Sequence, residues 1–169
     1  MFSLNAPVPG AVSALAWELR SQFTPFDVLR DEHSLVIKRL TARDGASFHE
    51  ESKEVRAAVS GTAPFEVAIT GIDWFSNPPA GPAPVIYFDV ESPALFELHM
   101  QLVDALGAVS DIEGEPYQPH VTVARGGGDA ELLERLREIQ FEPVHWSVDR
   151  LIFWDTKREL PVGEISLPA

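Results

Sequence analysis

The run Asn77-Pro78-Pro79-Ala80-Gly81-Pro82-Ala83-Pro84 near the middle of the chain can hold neither a helix nor a strand ladder, because proline lacks the amide donor that both require. It separates two stretches in which the same order of elements recurs. Before it, residues 2–8 read as a strand, Val12, Leu15, Ala16, Leu19 and Phe23 follow helical spacing, and 33–40 is rich in β-formers. Phe48, Val55 and Val59 then mark a second helix and 65–72 a third strand. After it, 85–90 read as a strand, and Ser92-Pro93 supply an N-cap and a helix-starting proline ahead of Leu95, Leu98, Leu102 and Leu106. Residues 120–125 form another strand, Asp129 can cap a helix carrying Leu132, Leu133, Leu136 and Ile139, and 146–154 and 164–167 read as strands. Strand, helix, strand, helix, strand thus occurs twice, over about 1–76 and 85–169, within one domain.

Composition narrows the function. Of 169 residues, 26 are acidic and 13 basic, a net charge of −13, which opposes binding to long duplex nucleic acid, where affinity comes mainly from cations on phosphates. A small or terminal phosphate held by a few local donors fits better. The absence of cysteine removes disulfides, thiolate nucleophiles and Cys-based zinc sites, and no metal site is expected. No apolar run approaches the roughly 20 residues needed to cross a bilayer, and the N-terminus lacks the zones of a secretory signal. The expectation is a cytoplasmic protein without a membrane partner.

The chemistry is carried by Pro119-His120-Val121-Thr122-Val123 and an earlier, imperfect copy, His33-Ser34-Leu35-Val36. Alternation along a strand sends His120 and Thr122 to one face and Val121 and Val123 to the other. An imidazole with an ordinary pKa near 6.5 exchanges a proton at neutral pH, and an adjacent hydroxyl can donate to a phosphate oxygen. In the earlier copy the same alternation places Leu35 beside His33, facing a cleft, and turns Ser34 away. Lys38 and Arg125 each follow their histidine by five residues; strict alternation makes both solvated strand ends, whereas a bulge would turn one inward. Gly126-Gly127-Gly128 reads either as a close approach of backbone to ligand or as a flexible loop before the next helix. Tyr117 is a candidate base-stacking residue. His49, His99 and His145 read as surface residues, and Trp74, Trp146 and Trp154 as core or rim aromatics.

The paired histidine motifs and the repeated order of elements resemble the 2H phosphoesterase superfamily, particularly its 2′-5′ RNA ligase and cyclic phosphodiesterase branch, whose pattern is His-x-Thr/Ser followed by an apolar residue, twice. The resemblance spans almost the whole chain. QPHVTVAR matches it well, while the first motif is degenerate, with Leu35 in the hydroxyl position. The resemblance implies an α+β fold of two pseudo-symmetric lobes, each an antiparallel sheet with flanking helices, facing each other across a central cleft. It implies metal-independent hydrolysis, without cofactor, of ribose 2′,3′-cyclic phosphate at RNA ends or in small cyclic nucleotides. His33 and His120 would be the acid/base pair, with Thr122 and Arg125 binding phosphate. With a 5′-hydroxyl in place of water, the same pair would form a 2′-5′ bond. A lost hydrogen bond to a charged group is worth about 1.5–3 kcal/mol, a rate cost of roughly ten- to over a hundredfold.

Three other readings compete. One is a non-catalytic protein that binds RNA ends or nucleotides in the degenerate site. A second is a metal hydrolase, for which the sequence lacks an HExxH or a histidine-carboxylate cluster to complete a ligand shell. The third is a protein-interaction module with an acidic surface.

Overall fold

Strand alternation and helix caps account for most of the architecture, an α+β fold with two antiparallel sheets. The computed structural model describes residues 1–168. Its strands are β1 (Phe2–Ala6), β2 (Phe26–Leu29), β3 (Leu35–Leu40), β4 (Phe65–Phe75), β5 (Val85–Glu91), β6 (His120–Gly127), β7 (Val144–Val148), β8 (Arg150–Asp155) and β9 (Leu160–Ser166). Its helices are α1 (Gly10–Glu18), α2 (Arg20–Phe23), α3 (Gly45–Ala58), α4 (Pro93–Leu106) and α5 (Ala130–Arg137). The Ser92 hydroxyl and the Asp129 carboxylate accept from the amides of Leu95 and Leu132, as their positions predict. Asp44 and Ser47 close a reciprocal cap at α3. The first helical stretch is broken at Leu19, and the strand expected over 146–154 is two strands parted at Asp149.

One sheet has the order β3-β1-β8-β9 and the other β2-β6-β5-β4-β7. The fourth strand of each half therefore pairs with the first strand of the other: β4 pairs with β5, and β8 with β1. Both halves of the sequence run through both lobes, so neither half can bury its apolar faces alone. The shared core includes Leu4, Ile37, Phe88, Val121, Phe153 and Leu102.

β3 lies at a sheet edge, where unpaired amides and carbonyls must find other partners. The loop 107–119 supplies them. Glu113 accepts from the Arg39 amide at 2.7 Å, the Val109 amide at 2.9 Å and the Lys38 ammonium at 2.6 Å. Lys38 also donates to the Arg39 carbonyl, and the Tyr117 hydroxyl donates to the Val36 carbonyl at 2.7 Å. His99 Nδ1 donates to the Ile37 carbonyl at 2.7 Å, while its Nε2 accepts from the Gly114 amide at 2.8 Å. These bonds correct two expectations. Lys38 is no strand-end cation but is 2% exposed in an ion pair with Glu113, and His99 is fully buried and lies against β3.

Two outcomes follow. Glu113→Ala would leave the Lys38 ammonium without its counter-ion and the Arg39 amide without an acceptor in the interior, and we expect it to cost about 3–5 kcal/mol in a urea titration. A cost below about 1 kcal/mol would show that the pair is dispensable. The second concerns pH. Burial, the largest effect, holds the His99 pKa below 6.5, and its Nε2 must stay unprotonated to accept from Gly114. The same direction holds for His33 and His120. The unfolded chain therefore takes up protons first as pH falls below about 6.5, so stability is full above that value and declines beneath it. The thermal midpoint should drop between about pH 7.5 and pH 5, and by less in His99→Gln; an unchanged wild-type midpoint would contradict the assignment.

Candidate active-site cleft

The cleft is built by two matching irregularities. In β3, Leu4 pairs with Lys38 and Asn5 with Val36, so Ile37 is an extra residue opposite β1. In β6, Ile86 pairs with Ala124 and Tyr87 with Thr122, so Val123 is extra opposite β5. Each bulge buries two successive side chains, Ile37 and Lys38 in one strand and Val123 and Ala124 in the other. The following arginine, Arg39 or Arg125, is thereby returned to the face that carries Val36 or Thr122. The inward turn of Arg125 is thus produced by a bulge, and its partner across the cleft is Arg39 rather than Lys38.

This register corrects the first motif by one residue. Val36 answers to Thr122, Leu35 to Val121 and Ser34 to His120, which leaves His33 at the position of Pro119. Leu35 is fully buried in the core and does not project into the cleft. Ser34, expected to turn away, lines the cleft, and Val36 sits in its wall. The discrepancy has a simple cause: His33 lies outside β3, so strand alternation counted from it starts on a residue that is not in the strand.

Two adjoining cavities share Val36. One, of about 300 Å³, is lined by Arg39, Phe75, Tyr117, His120 and Arg125; the other, of about 320 Å³, by Asn5, His33, Ser34, Thr122 and Trp154. His33 and Thr122 therefore meet in one cavity, and His120 and Arg125 in the next.

His120 Nδ1 lies 2.7 Å from the Gln118 carbonyl. A carbonyl only accepts, so Nδ1 carries the proton and Nε2 is left as the basic nitrogen. Phe75 and Tyr87 pack on the ring at 5.0 and 5.2 Å. Asp89 accepts from the Gln118 side chain at 2.7 Å, which steadies the residue that orients the histidine. Burial pushes the His120 pKa down; the Gln118 bond opposes this, and the Arg39 and Arg125 charges add to it. The imidazole is accordingly neutral at pH 7 and able to accept a proton.

His33 is held differently. Its Nδ1 is 3.0 Å from the Ser13 hydroxyl on α1, and its buried Nε2 has no protein partner. Burial lowers its pKa, against the opposing Asp31 charge and the Arg30 carbonyl.

Arg125 donates to the Ala80 carbonyl at 2.8 Å, tying the proline-rich connection to the cleft, while its Nε is buried without a partner. Its proton affinity is reduced first by burial and then by Arg30 and Arg39 nearby. Cations thus crowd together in a strongly acidic chain, an arrangement suited to an anion. Sequence reasoning does not single out Arg30, Arg39 or Asn5, and it turns Ser34 away from the cleft; the matched arginines after Val36 and Thr122 are the available signal. Tyr117 has one ring face covered by His99 at a centroid distance of 3.7 Å, so it serves as cavity wall and β3 anchor. The glycine run is packed closely against β2. Gly126 and Gly127 extend β6, and a Cβ on either would come within 2.8 and 2.7 Å of the Asp27 carboxylate on β2.

Among the described residues, no three His, Asp or Glu side chains converge as a metal site. Among the same residues, no helix is long and apolar enough to cross a membrane.

The fold is similar to that of several solved proteins. TT0787 of Thermus thermophilus superposes with a TM-score of 0.69 at 18% identity, covering 98% of this chain and 97% of its own. E. coli LigT complexed with 3′-AMP gives 0.68 at 13%, covering 99% and 98%, and LigT complexed with NADP+ gives 0.66 at 14%, covering 98% and 96%. No curated protein matches the sequence. The family model of the 2′-5′ RNA ligase superfamily, however, matches residues 31–160, which include both strands that form the cleft. The chain belongs to the 2′-5′ RNA ligase superfamily.

Proposed function

We propose that the cleft binds ribose 2′,3′-cyclic phosphate, at an RNA end or in a small cyclic nucleotide, and opens it slowly without metal, with His120 as the principal acid/base group. The observation that carries this reading is the fixed His120 tautomer, with its basic Nε2, on the same strand as Thr122 and Arg125. The small nucleotides in the LigT complexes, 3′-AMP and NADP+, support a ligand of this class.

In the proposed reaction His120 Nε2 takes a proton from water as its oxygen attacks phosphorus. The bond from phosphorus to the ribose 3′-oxygen breaks, a proton is delivered to that oxygen, and a 2′-phosphate remains. Thr122, Arg39 and Arg125 would stabilise charge on the phosphoryl oxygens. The proton donor is the weak point. Ser34 cannot act as an acid at neutral pH, and His33, the remaining candidate, would have to turn its Nε2 from its buried position toward the ligand. Ligation through a 5′-hydroxyl would use the same groups, and hydrolysis dominates in dilute solution because water is abundant.

His120→Ala should lower turnover of a nucleoside 2′,3′-cyclic phosphate in EDTA by about a hundredfold or more. An unchanged rate would sink the mechanism.

A second reading, binding without turnover, is favoured specifically by Ser34 and Val36, which replace both polar members of the first motif. The variant Ser34→His/Val36→Thr discriminates. If the wild type is a slow enzyme, the variant should gain about tenfold or more through a second proton carrier and a second hydroxyl donor. If the wild type binds the cyclic phosphate without forming product and the variant forms product, the binding reading holds. A variant that folds and binds but gains nothing would refute the register on which both rest.

A further inference from the structure

The cleft continues into a third cavity, of about 210 Å³, beneath the first two helices. Arg30 and His33 line both this cavity and the one that holds Thr122, so the two are contiguous. Its outer wall is Trp17 on α1 and Arg20 on α2. Trp17 is 71% exposed, although most other large apolar side chains are buried. The Arg20 guanidinium lies 5.1 Å from the centre of the Trp17 ring, and its ion pair with Asp31, at 4.0 Å between exposed groups, is loose enough to exchange for a phosphate. Arg30 lines the shallow depression that contains Arg125 and is near enough to add to the lowering of its proton affinity. An exposed indole, with Arg20 and then Arg30 between it and the cleft, forms a track of stacking surface and phosphate partners in a chain whose acids outnumber its bases two to one. Sequence-tolerant binding of single strands uses these two ingredients.

From this we infer that Trp17, Arg20 and Arg30 form a subsite for the nucleotide preceding the terminal one, and that the ligand is a single-stranded RNA 3′ end of at least two nucleotides rather than a mononucleotide. The inference rests on the proposed placement of a terminal phosphate in the cleft. A strand whose 2′,3′-phosphate lies there can continue only through its 5′-oxygen. The next phosphate would meet Arg30 or Arg20, and the base upstream would cover Trp17. Asp31, which lines the same cavity, and Glu32 in the adjoining one oppose a long polyanion, which keeps the subsite short.

The test is calorimetric titration of the full chain with two stable product-like probes, adenosine 2′-phosphate and a tetra-adenylate ending in 2′-phosphate. The wild type should bind the tetranucleotide about tenfold or more tightly than the mononucleotide, the contribution of one stacked base. Trp17→Ala and Arg20→Ala should remove that advantage while leaving mononucleotide affinity unchanged. Because both side chains are exposed, folding should be retained. Equal wild-type affinity for the two probes, or an equal loss of both in Trp17→Ala, overturns the subsite alone. Failure of the wild type to bind either probe overturns the functional reading together with the subsite.

Discussion

The buried Lys38–Glu113 pair is the interaction on which the cleft depends. A salt bridge taken out of water is a poor source of net stability, since desolvation offsets most of the attraction. Its value here is positional. Glu113 takes the Arg39 amide as well as the Lys38 ammonium, so the outer edge of β3 is closed by a loop rather than by another strand. His99 and Tyr117 complete the seal on the Ile37 and Val36 carbonyls. The bulge that turns Arg39 into the cleft is thereby held from both sides, by β1 on one edge and by the loop on the other. Because the same loop runs directly into Pro119 and His120, its anchoring to β3 also sets where β6 begins.

Proton chemistry is distributed unevenly over this frame. His120 has a carbonyl to fix its tautomer, aromatic rings to fix its plane, and burial, with the arginines adding to it, to keep it neutral. On the other side, the strand position that answers to it carries Ser34, and His33 is drawn toward α1 by Ser13. The two bulges are equivalent in geometry, but the side chains on them are not. One wall carries an oriented imidazole beside a hydroxyl and an arginine, and the other mainly shape and charge.

Much of the fold is legible along the chain. Alternation locates most strands, Ser92 and Asp129 mark helix starts, and the proline-rich run marks the connection between halves. The failures share one cause: local periodicity is extended through points where tertiary contacts alter it. Leu35 falls in the cleft only when counting begins at His33, one residue before the strand's equivalent position. Lys38 reads as a solvated end because its partner is far along the chain in a loop with no periodicity of its own. His99 reads as exposed although it shares a helix face with Leu95, Leu98 and Leu102, since a histidine among leucines gives no sign of the backbone carbonyl and amide that will satisfy it.

By itself the sequence determined the α+β class, the recurring order of elements, the placing of His120 and Thr122 on one face of a strand and the improbability of a broad basic surface. These rest on short-range rules: side-chain alternation, capping chemistry, the missing amide of proline and the overall charge. Only the tertiary structure decided that each half lends its fourth strand to the other's sheet, that bulges bring Arg39 and Arg125 to one cleft, and that Ser34 rather than His33 stands opposite in register to His120. Those outcomes depend on which strand edges pair and where one extra residue is accommodated, and both are settled by packing between segments far apart in the chain.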